Sequence, residues 1–138
     1  MIGVKKEEML LRTKNYAIAN ARLVLSIPMN VVNRNYADQL NRSASSTGAN
    51  YRAACRAKSK ADFINKLKIV EEELDETLFF NELLVELNPE LKEKIAPIYK
   101  EGNELLSIIV AALNTLRNTR FTILDLRITI VFKSLKSK

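Results

Sequence analysis

Apolar residues recur every three or four positions through most of the chain, which is the spacing of an amphipathic helix. Pro28, a polar connection near residue 59, and Pro89 divide this pattern into four segments. The first segment runs from Leu10 to Leu25, with acidic residues before it, where they suit the positive end of a helix dipole. It carries two adjacent apolar stripes, one of Leu10, Ala17, Ala21 and Val24 and one of Leu11, Ile18 and Leu25.

The second segment predicts a helix from about Val31 to about Ala57 with an unusually small-residue apolar face. That face consists of Ala37, Leu40, Ala44, Thr47, Tyr51 and Cys55. Small side chains let a neighbouring helix approach closely, so we expect Ala44 and Gly48 to lie at helix contacts. Asn50 falls between this face and the polar side. It is either a buried amide that sets the register of neighbouring helices or a contact for RNA.

The third segment begins at Ser59, which predicts a helix N-cap with Asp62 three residues later. Its apolar face widens in the second half to include Phe79, Phe80, Leu83, Leu84 and Leu87. A helix that is apolar on more than one side must be covered from more than one side, which favours a second subunit as the cover.

The fourth segment begins with Asn88-Pro89-Glu90, read as N-cap, first helical residue and acidic first turn. It continues to about Leu116, with a kink or restart expected at Pro97.

The last residues follow a different pattern. From Leu124 to Phe132 apolar and other residues nearly alternate, which is typical of a strand. A strand without a partner has unpaired edges, so an extended arm and a misread helix also remain open. We therefore predict a four-helix bundle over residues 1–120 and a separate basic tail over residues 121–138.

A chain of 138 residues with 47% hydrophobic residues suits one folded domain. Its net charge of +6 is unevenly distributed: residues 1–60 carry +8, residues 61–116 carry −7 and residues 117–138 carry +5. Acidic and basic helices would neutralise each other if they were neighbours. Alternatively, the basic segments gather on one side and attract a polyanion.

The second helix carries the best candidate for binding such a polyanion. Arg34, Arg42, Arg52 and Arg56 fall within a sector of about 80° on a helical projection, and Lys60 follows them. The guanidinium fork matches phosphate geometry. The alternative is that this stripe pairs with acids of the third helix. No residue is identifiable as a reader of base edges, so any binding of RNA or DNA should be tolerant of sequence.

The chain lacks the residues that most enzymatic and metal sites require. It contains no His, one Cys and no phosphate-binding glycine motif. We therefore expect no catalytic activity, no cofactor and no metal site. No secretory leader and no run long enough to span a membrane is apparent, which favours a cytoplasmic protein without a membrane partner.

The second and third segments carry motifs of a known family over about residues 8–118. The matching stretches are Gln39-Leu40, Arg42-Ser43-Ala44, Gly48-Ala49-Asn50, Ser59-Lys60-Ala61-Asp62-Phe63-Ile64, Lys66-Leu67, Asp75-Glu76-Thr77 and Glu82-Leu83-Leu84. In these the chain resembles the bacterial four helix bundle proteins, which are encoded in intervening sequences of 23S ribosomal RNA genes. One position departs from the family: Ala53 stands where members often carry Glu, so any contact made by that Glu is missing.

This resemblance implies an antiparallel up-down four-helix bundle that assembles into a ring-shaped homopentamer. A related branch is the accessory protein of diversity-generating retroelements, a basic pentamer that binds nucleic acid and a reverse transcriptase. The expected function is thus a non-catalytic, homo-oligomeric protein that binds nucleic acid, with RNA favoured, and that serves a retroelement or an intervening sequence. The alternative is a scaffolding oligomer that binds protein and no nucleic acid.

Overall fold

The structure is a computed structural model that describes residues 6–118. It consists of four helices and one short turn of 3-10 helix: α1 (Lys6–Ser26), α2 (Val31–Ala54), α3 (Lys60–Leu87), the 3-10 turn (Pro89–Leu91) and α4 (Lys92–Arg117). The predicted all-α class is confirmed, and residues 6–118 contain no strand. The strand-like pattern after residue 121 and the predicted tail domain lie outside the described residues.

The helices run alternately up and down. Close approaches between them give the register: Gly48 of α2 lies against the backbone of Thr13, and Ser43 of α2 accepts a hydrogen bond from Thr77 of α3. Each helix packs against the next one in sequence, and α1 packs against α4 to close the bundle. The α2–α3 contact is the most extensive and the α1–α4 contact the least. The small residues of α2 account for its close packing.

The helix ends follow the predicted signals, with three differences. Ser59 caps α3, its Oγ accepting from the backbone N–H of Asp62 at 3.0 Å. α2 ends at Ala54, three residues earlier than expected, because the chain then turns toward α3. α4 is continuous through Pro97, and Asn88 makes no side-chain cap for the 3-10 turn.

The buried face of α1 is neither of the two predicted apolar stripes. It consists of Met9, Thr13, Tyr16, Asn20 and Leu23, whereas Leu11, Ile18 and Leu25 are exposed. The hydroxyl of Thr13 donates to the carbonyl oxygen of Met9, and the amide of Asn20 donates to that of Tyr16. These local bonds satisfy the Thr13 hydroxyl and the Asn20 Nδ2, whereas Asn20 Oδ1 and the Tyr16 hydroxyl are buried without a partner among residues 6–118. A mixed face is thus buried, and the stripe of Leu11, Ile18 and Leu25 faces outward.

The core has two apolar clusters. One contains Met9, Tyr16, Tyr51, Ala54, Ala57, Phe63, Leu67, Val70, Leu74, Leu105, Ile109, Leu113 and Leu116. The other contains Leu23, Ile27, Ala37, Leu40, Leu84, Leu91 and Ile95. The first lies where α1 and α3 begin and where α2 and α4 end, and the second lies at the opposite end of the bundle.

Candidate nucleic-acid interface

One end of the bundle collects the positive charge of the fold. The first apolar cluster joins the start of α1, the end of α2, the start of α3 and the end of α4. We define the basic end as residues 6–14, 48–72 and 100–118, whose limits follow from the contacts of Thr13 with Gly48 and of Arg12 with Glu101. These residues include eleven Lys or Arg and seven Asp or Glu, a net charge of +4. The remaining described residues, 15–47 and 73–99, include five Lys or Arg and eight Asp or Glu, a net charge of −3.

The end-to-end separation of charge follows from folding, because the up-down topology brings distant basic segments together. Lys58, Lys66 and Lys68 join Arg117 at this end although they are far apart in sequence. A concentrated cationic surface attracts polyanions more strongly than the same charges dispersed among acids. Sequence reasoning missed these residues. The antiparallel order of the four predicted helices could have identified them, because it places the start of α3 and the end of α4 at the same end of the bundle.

Two of the predicted arginines belong to the basic end. Arg52 is in the last turn of α2, and Arg56 lies in the turn that follows the helix. Both side chains are exposed, and neither forms an ion pair with any residue between 6 and 118. Lys60 begins α3 close to them in sequence and is half-buried. The guanidinium donors of Arg52 and Arg56 are therefore available to an external anion in this fold.

Arg34 does not belong to the same surface. It is exposed in the first turn of α2, so the rise of an α-helix separates it from Arg52 by about 27 Å along the axis. The four arginines share one side of a helical projection, but the projection contains no information about their separation along the axis. A short nucleic-acid segment therefore cannot place its phosphates against both Arg34 and Arg52.

Arg42 is matched by acids of α3. Its guanidinium contacts Glu73, with 3.3 Å between Nη1 and Oε2, and also pairs with Glu76. The hydrogen bond to Glu76 raises the pKa of Arg42, with a smaller contribution from Glu73. Burial raises the pKa of the Glu73 carboxyl, and the charge of Arg42 opposes that rise. For Arg42, the alternative that the arginine stripe pairs with acids of the third helix is therefore the one observed.

The residues proposed to set helix register have different positions. Ala44 is fully buried, and a Cβ on Gly48 would lie 3.3 Å from the carbonyl oxygen of Thr13. Asn50 is half-buried and donates to the backbone and hydroxyl oxygens of Ser46, within its own helix. It therefore makes no hydrogen bond to a neighbouring helix, contrary to that expectation.

The α1–α4 contact contains a further ion-pair cluster that the sequence did not reveal. Arg12 donates to both carboxylate oxygens of Glu101, at 2.9 and 2.6 Å, and contacts Glu104 at 3.0 Å. These bonds raise the pKa of Arg12 above its usual range, the bond to Glu101 most of all. Arg12 is thereby removed from the cations that an external anion could contact.

The described part of the chain holds no arrangement suited to a metal ion. Among residues 6–118, no group of three or more His, Cys, Asp or Glu side chains is placed to hold one. Within the same residues, no helix combines the length and the apolar character needed to cross a membrane. The fold and the site together define a four-helix bundle with one cationic end.

The chain belongs to the 23S rRNA-intervening sequence protein family, whose model matches residues 6–111. The resemblance stated from the sequence is thus confirmed. A crystal structure of a protein of unknown function from the S23 ribosomal protein family of Bacteroides thetaiotaomicron VPI-5482 is similar, with a TM-score of 0.68 and 28% identity. The match covers 76% of this chain and 97% of that protein. No curated protein matches the chain significantly.

Proposed function

We propose that the protein is a non-catalytic, homo-oligomeric nucleic-acid-binding protein that contacts phosphates through its basic end. The observation that carries this proposal is the net charge of +4 on the basic end, where Arg52 and Arg56 are exposed and without ion pairs among residues 6–118. Phosphate contacts supply most sequence-independent affinity for nucleic acid, and the affinity grows with their number. RNA is the favoured ligand because the family is associated with ribosomal RNA intervening sequences.

Assembly would strengthen such binding. Each added subunit repeats the basic end, so a ring presents a continuous row of cations that the phosphate backbone of one nucleic-acid strand can follow. The family resemblance adds a cytoplasmic homopentamer as the proposed assembly, with a reverse transcriptase of a retroelement as a candidate protein partner. Because no base-reading residue is identifiable, we expect binding that depends weakly on sequence.

The experiment is fluorescence anisotropy with labelled RNA and DNA oligonucleotides across a salt series. The test variant is the triple substitution Arg52→Ala, Arg56→Ala, Lys58→Ala, which removes three exposed cations from the basic end. We expect its affinity at low salt to fall at least tenfold. The slope of log affinity against log salt should also become shallower, by about 2 if all three side chains contact phosphate.

The matched control removes the same charge from the other part of the bundle. The triple substitution Arg34→Ala, Arg42→Ala, Lys94→Ala should leave affinity within about threefold of the unmodified chain when both triple variants are compared at about 0.1 M salt, because long-range attraction is screened beyond about 10 Å there. Equal losses in both triple variants would assign the effect to net charge alone. Absence of binding by the unmodified oligomer at low salt would overturn the proposal.

A scaffolding oligomer is the second candidate function. It is favoured by the pairing of Arg42 with Glu73 and Glu76, which shows that part of the arginine stripe serves contacts within the fold. This candidate predicts an oligomer that ignores nucleic acid at all salt concentrations. The anisotropy series separates the two candidates without requiring a partner to be known.

A further inference from the structure

The exposed surface of α1 carries an apolar row with basic borders. Leu11, Ile18 and Leu25, here called the α1 stripe, are spaced seven residues apart and are 57%, 38% and 86% exposed. Lys14 and Arg22 are exposed between them, and residues 9–27 contain no Asp or Glu. A regular row of three large apolar side chains in water is the kind of surface that another helix covers.

The exposed surface of α3 carries an apolar row with acidic borders. We call Phe79, Leu83 and Leu87 the α3 stripe; Phe79 and Leu87 are 52% and 54% exposed, and Leu83 is half-buried. Residues 69–87 contain seven Asp or Glu and no Lys or Arg. Arg42 pairs with two of these acids. The other five have no cationic partner among residues 6–118: Glu71, Glu72, Asp75, Glu82 and Glu86.

The two stripes overlap in height along the bundle through Ile18 and Leu25, whereas Leu11 is level with residue 70, below the α3 stripe. The contacts of Gly48 with Thr13 and of Ser43 with Thr77 place a residue of α1 level with the α3 residue about 59 positions later. Ile18 is then level with residue 77, close to Phe79, and Leu25 is level with residue 84, between Leu83 and Leu87. The charges match in the same way, because Lys14 falls level with residue 73 and Arg22 with residue 81, each close to acids without a cationic partner among residues 6–118.

The two stripes face in different directions from one molecule. α1 and α3 each lie between α2 and α4, so they occupy opposite corners of the bundle and their outer surfaces point away from each other. The α1 stripe of one molecule therefore cannot cover its own α3 stripe. It can cover the α3 stripe of a neighbour that is displaced sideways without a shift along the bundle axis.

We infer that a second copy of this chain is the occupant: the α1 stripe of one copy packs against the α3 stripe of the next. The inference rests on the homo-oligomer of the proposed function and assigns its contact surfaces. Apolar burial supplies attraction, and the basic and acidic borders select the parallel, in-register pairing. The contact joins two different surfaces, so it is heterologous, and each copy keeps one surface free for another neighbour. Such contacts close into a ring when the rotation between copies permits it.

The first measurement is molar mass by light scattering with chromatography. The unmodified chain should give a multiple of the 15.7 kDa mass of one copy. Ile18→Asp and Phe79→Asp each place a charge in one stripe, and each should reduce the mass toward 15.7 kDa. The matched control is Val31→Asp, because Val31 is 87% exposed and lies in neither stripe. Helical circular dichroism should be unchanged in all three variants.

Mixing the two disrupted variants provides the sharper test. The Ile18→Asp variant keeps an intact α3 stripe, and the Phe79→Asp variant keeps an intact α1 stripe. Their mixture should contain a one-to-one complex of about 31 kDa, twice the mass of one copy, although each variant alone is a monomer. Contacts between like stripes would not produce this result. If α1 stripes paired with each other, the Phe79→Asp variant would still assemble by itself, and if α3 stripes did so, the Ile18→Asp variant would.

Four outcomes would overturn the inference: a monomeric unmodified chain, two variants that keep the full mass, folded variants whose mixture yields no complex, or loss of assembly in only one of the two variants. Loss only in the Phe79→Asp variant would mean that the α3 stripe takes another occupant, such as residues 119–138 of this chain. The nucleic-acid proposal fails separately, when an intact oligomer shows no affinity for RNA or DNA.

Discussion

Asn33 and Asn88 exchange two hydrogen bonds across the contact between α2 and the end of α3. Each Nδ2 donates to the Oδ1 of the other side chain at 2.9 Å. Asn33 also donates to the carbonyl oxygen of Pro28, and Asn88 to that of Leu84. Both amides are buried, so this pair ties three connected segments together where water cannot replace a lost partner.

We expect Asn88→Ala to lower the free energy of unfolding by about 2–4 kcal/mol, because it leaves the buried amide of Asn33 without its partner. Urea denaturation checks this value. Asn35→Ala is the control. Asn35 is exposed and lies on α2 near Asn33, so its substitution should change the free energy of unfolding by less than about 0.5 kcal/mol. In a double-mutant cycle with Asn33→Ala, the two losses should not add. Additive losses would contradict the pairing.

Gly102 leaves room in α4 for the side chain of Tyr16. A Cβ at position 102 would lie 2.5 Å from the Tyr16 hydroxyl oxygen and 2.8 Å from Cδ2 of Leu78. We expect Gly102→Ala to destabilise the bundle by about 1–3 kcal/mol, despite the better helix propensity of Ala. Thermal unfolding measures the change. The double variant Tyr16→Phe, Gly102→Ala should recover part of the loss, and no recovery would place the strain elsewhere.

Tyr16 should make the protein sensitive to alkaline pH. Burial is the main cause that raises the pKa of its hydroxyl above the ordinary value of about 10. The unfolded chain then loses this proton at a lower pH than the folded protein. The contribution of Tyr16 to the free energy of unfolding is therefore complete below about pH 10 and falls as the pH rises above it. Burial also raises the pKa of Tyr51, so Tyr16→Phe should reduce this alkaline loss without removing it, as read from urea midpoints between pH 8 and 11. An identical slope in both proteins would contradict the role of Tyr16.

Asn81 is fully buried, and neither atom of its amide group has a hydrogen-bond partner among the described residues. We expect Asn81→Leu to stabilise the bundle by about 1–2 kcal/mol, since the unpaired amide costs free energy and Leu is close in volume. Urea denaturation gives the sign. Asn114→Leu, at an exposed position in α4, is the control and should change stability little. A loss of stability in Asn81→Leu would indicate that the amide has a partner in solution.

Arg42 should contribute little to stability or to binding of nucleic acid. Its side chain is 48% exposed, and ion pairs of this exposure contribute at most about 1 kcal/mol. Arg42→Ala should therefore shift the urea midpoint slightly and change RNA affinity less than Arg52→Ala does. Anisotropy titrations of the two single variants at one salt concentration make the comparison. A larger loss of RNA affinity in Arg42→Ala than in Arg52→Ala would indicate that the binding surface lies along the side of α2 and not at the basic end.

The number, type and approximate limits of the helices could be predicted from residue spacing, because each apolar face repeats with the helical period over many residues. The buried positions of α3 from Phe63 to Leu78 illustrate this. The limits also followed from local chemistry: Ser59 caps α3 through its own side chain, and Pro28 ends α1 as expected. Such features depend on a few neighbouring residues and therefore can be read along the chain.

The buried face of α1 and the surroundings of each arginine depended on the neighbouring helices instead. Leu11, Ile18 and Leu25 form a regular apolar row, yet the face with Thr13, Tyr16 and Asn20 is the buried one, although only part of its polar groups bond within the helix. Arg42, Arg34 and Arg52 share a helical sector, but one meets acids of α3 and the other two lie about 27 Å apart. Periodicity is a local property, whereas burial and charge pairing arise from residues that only the packing of the helices brings together.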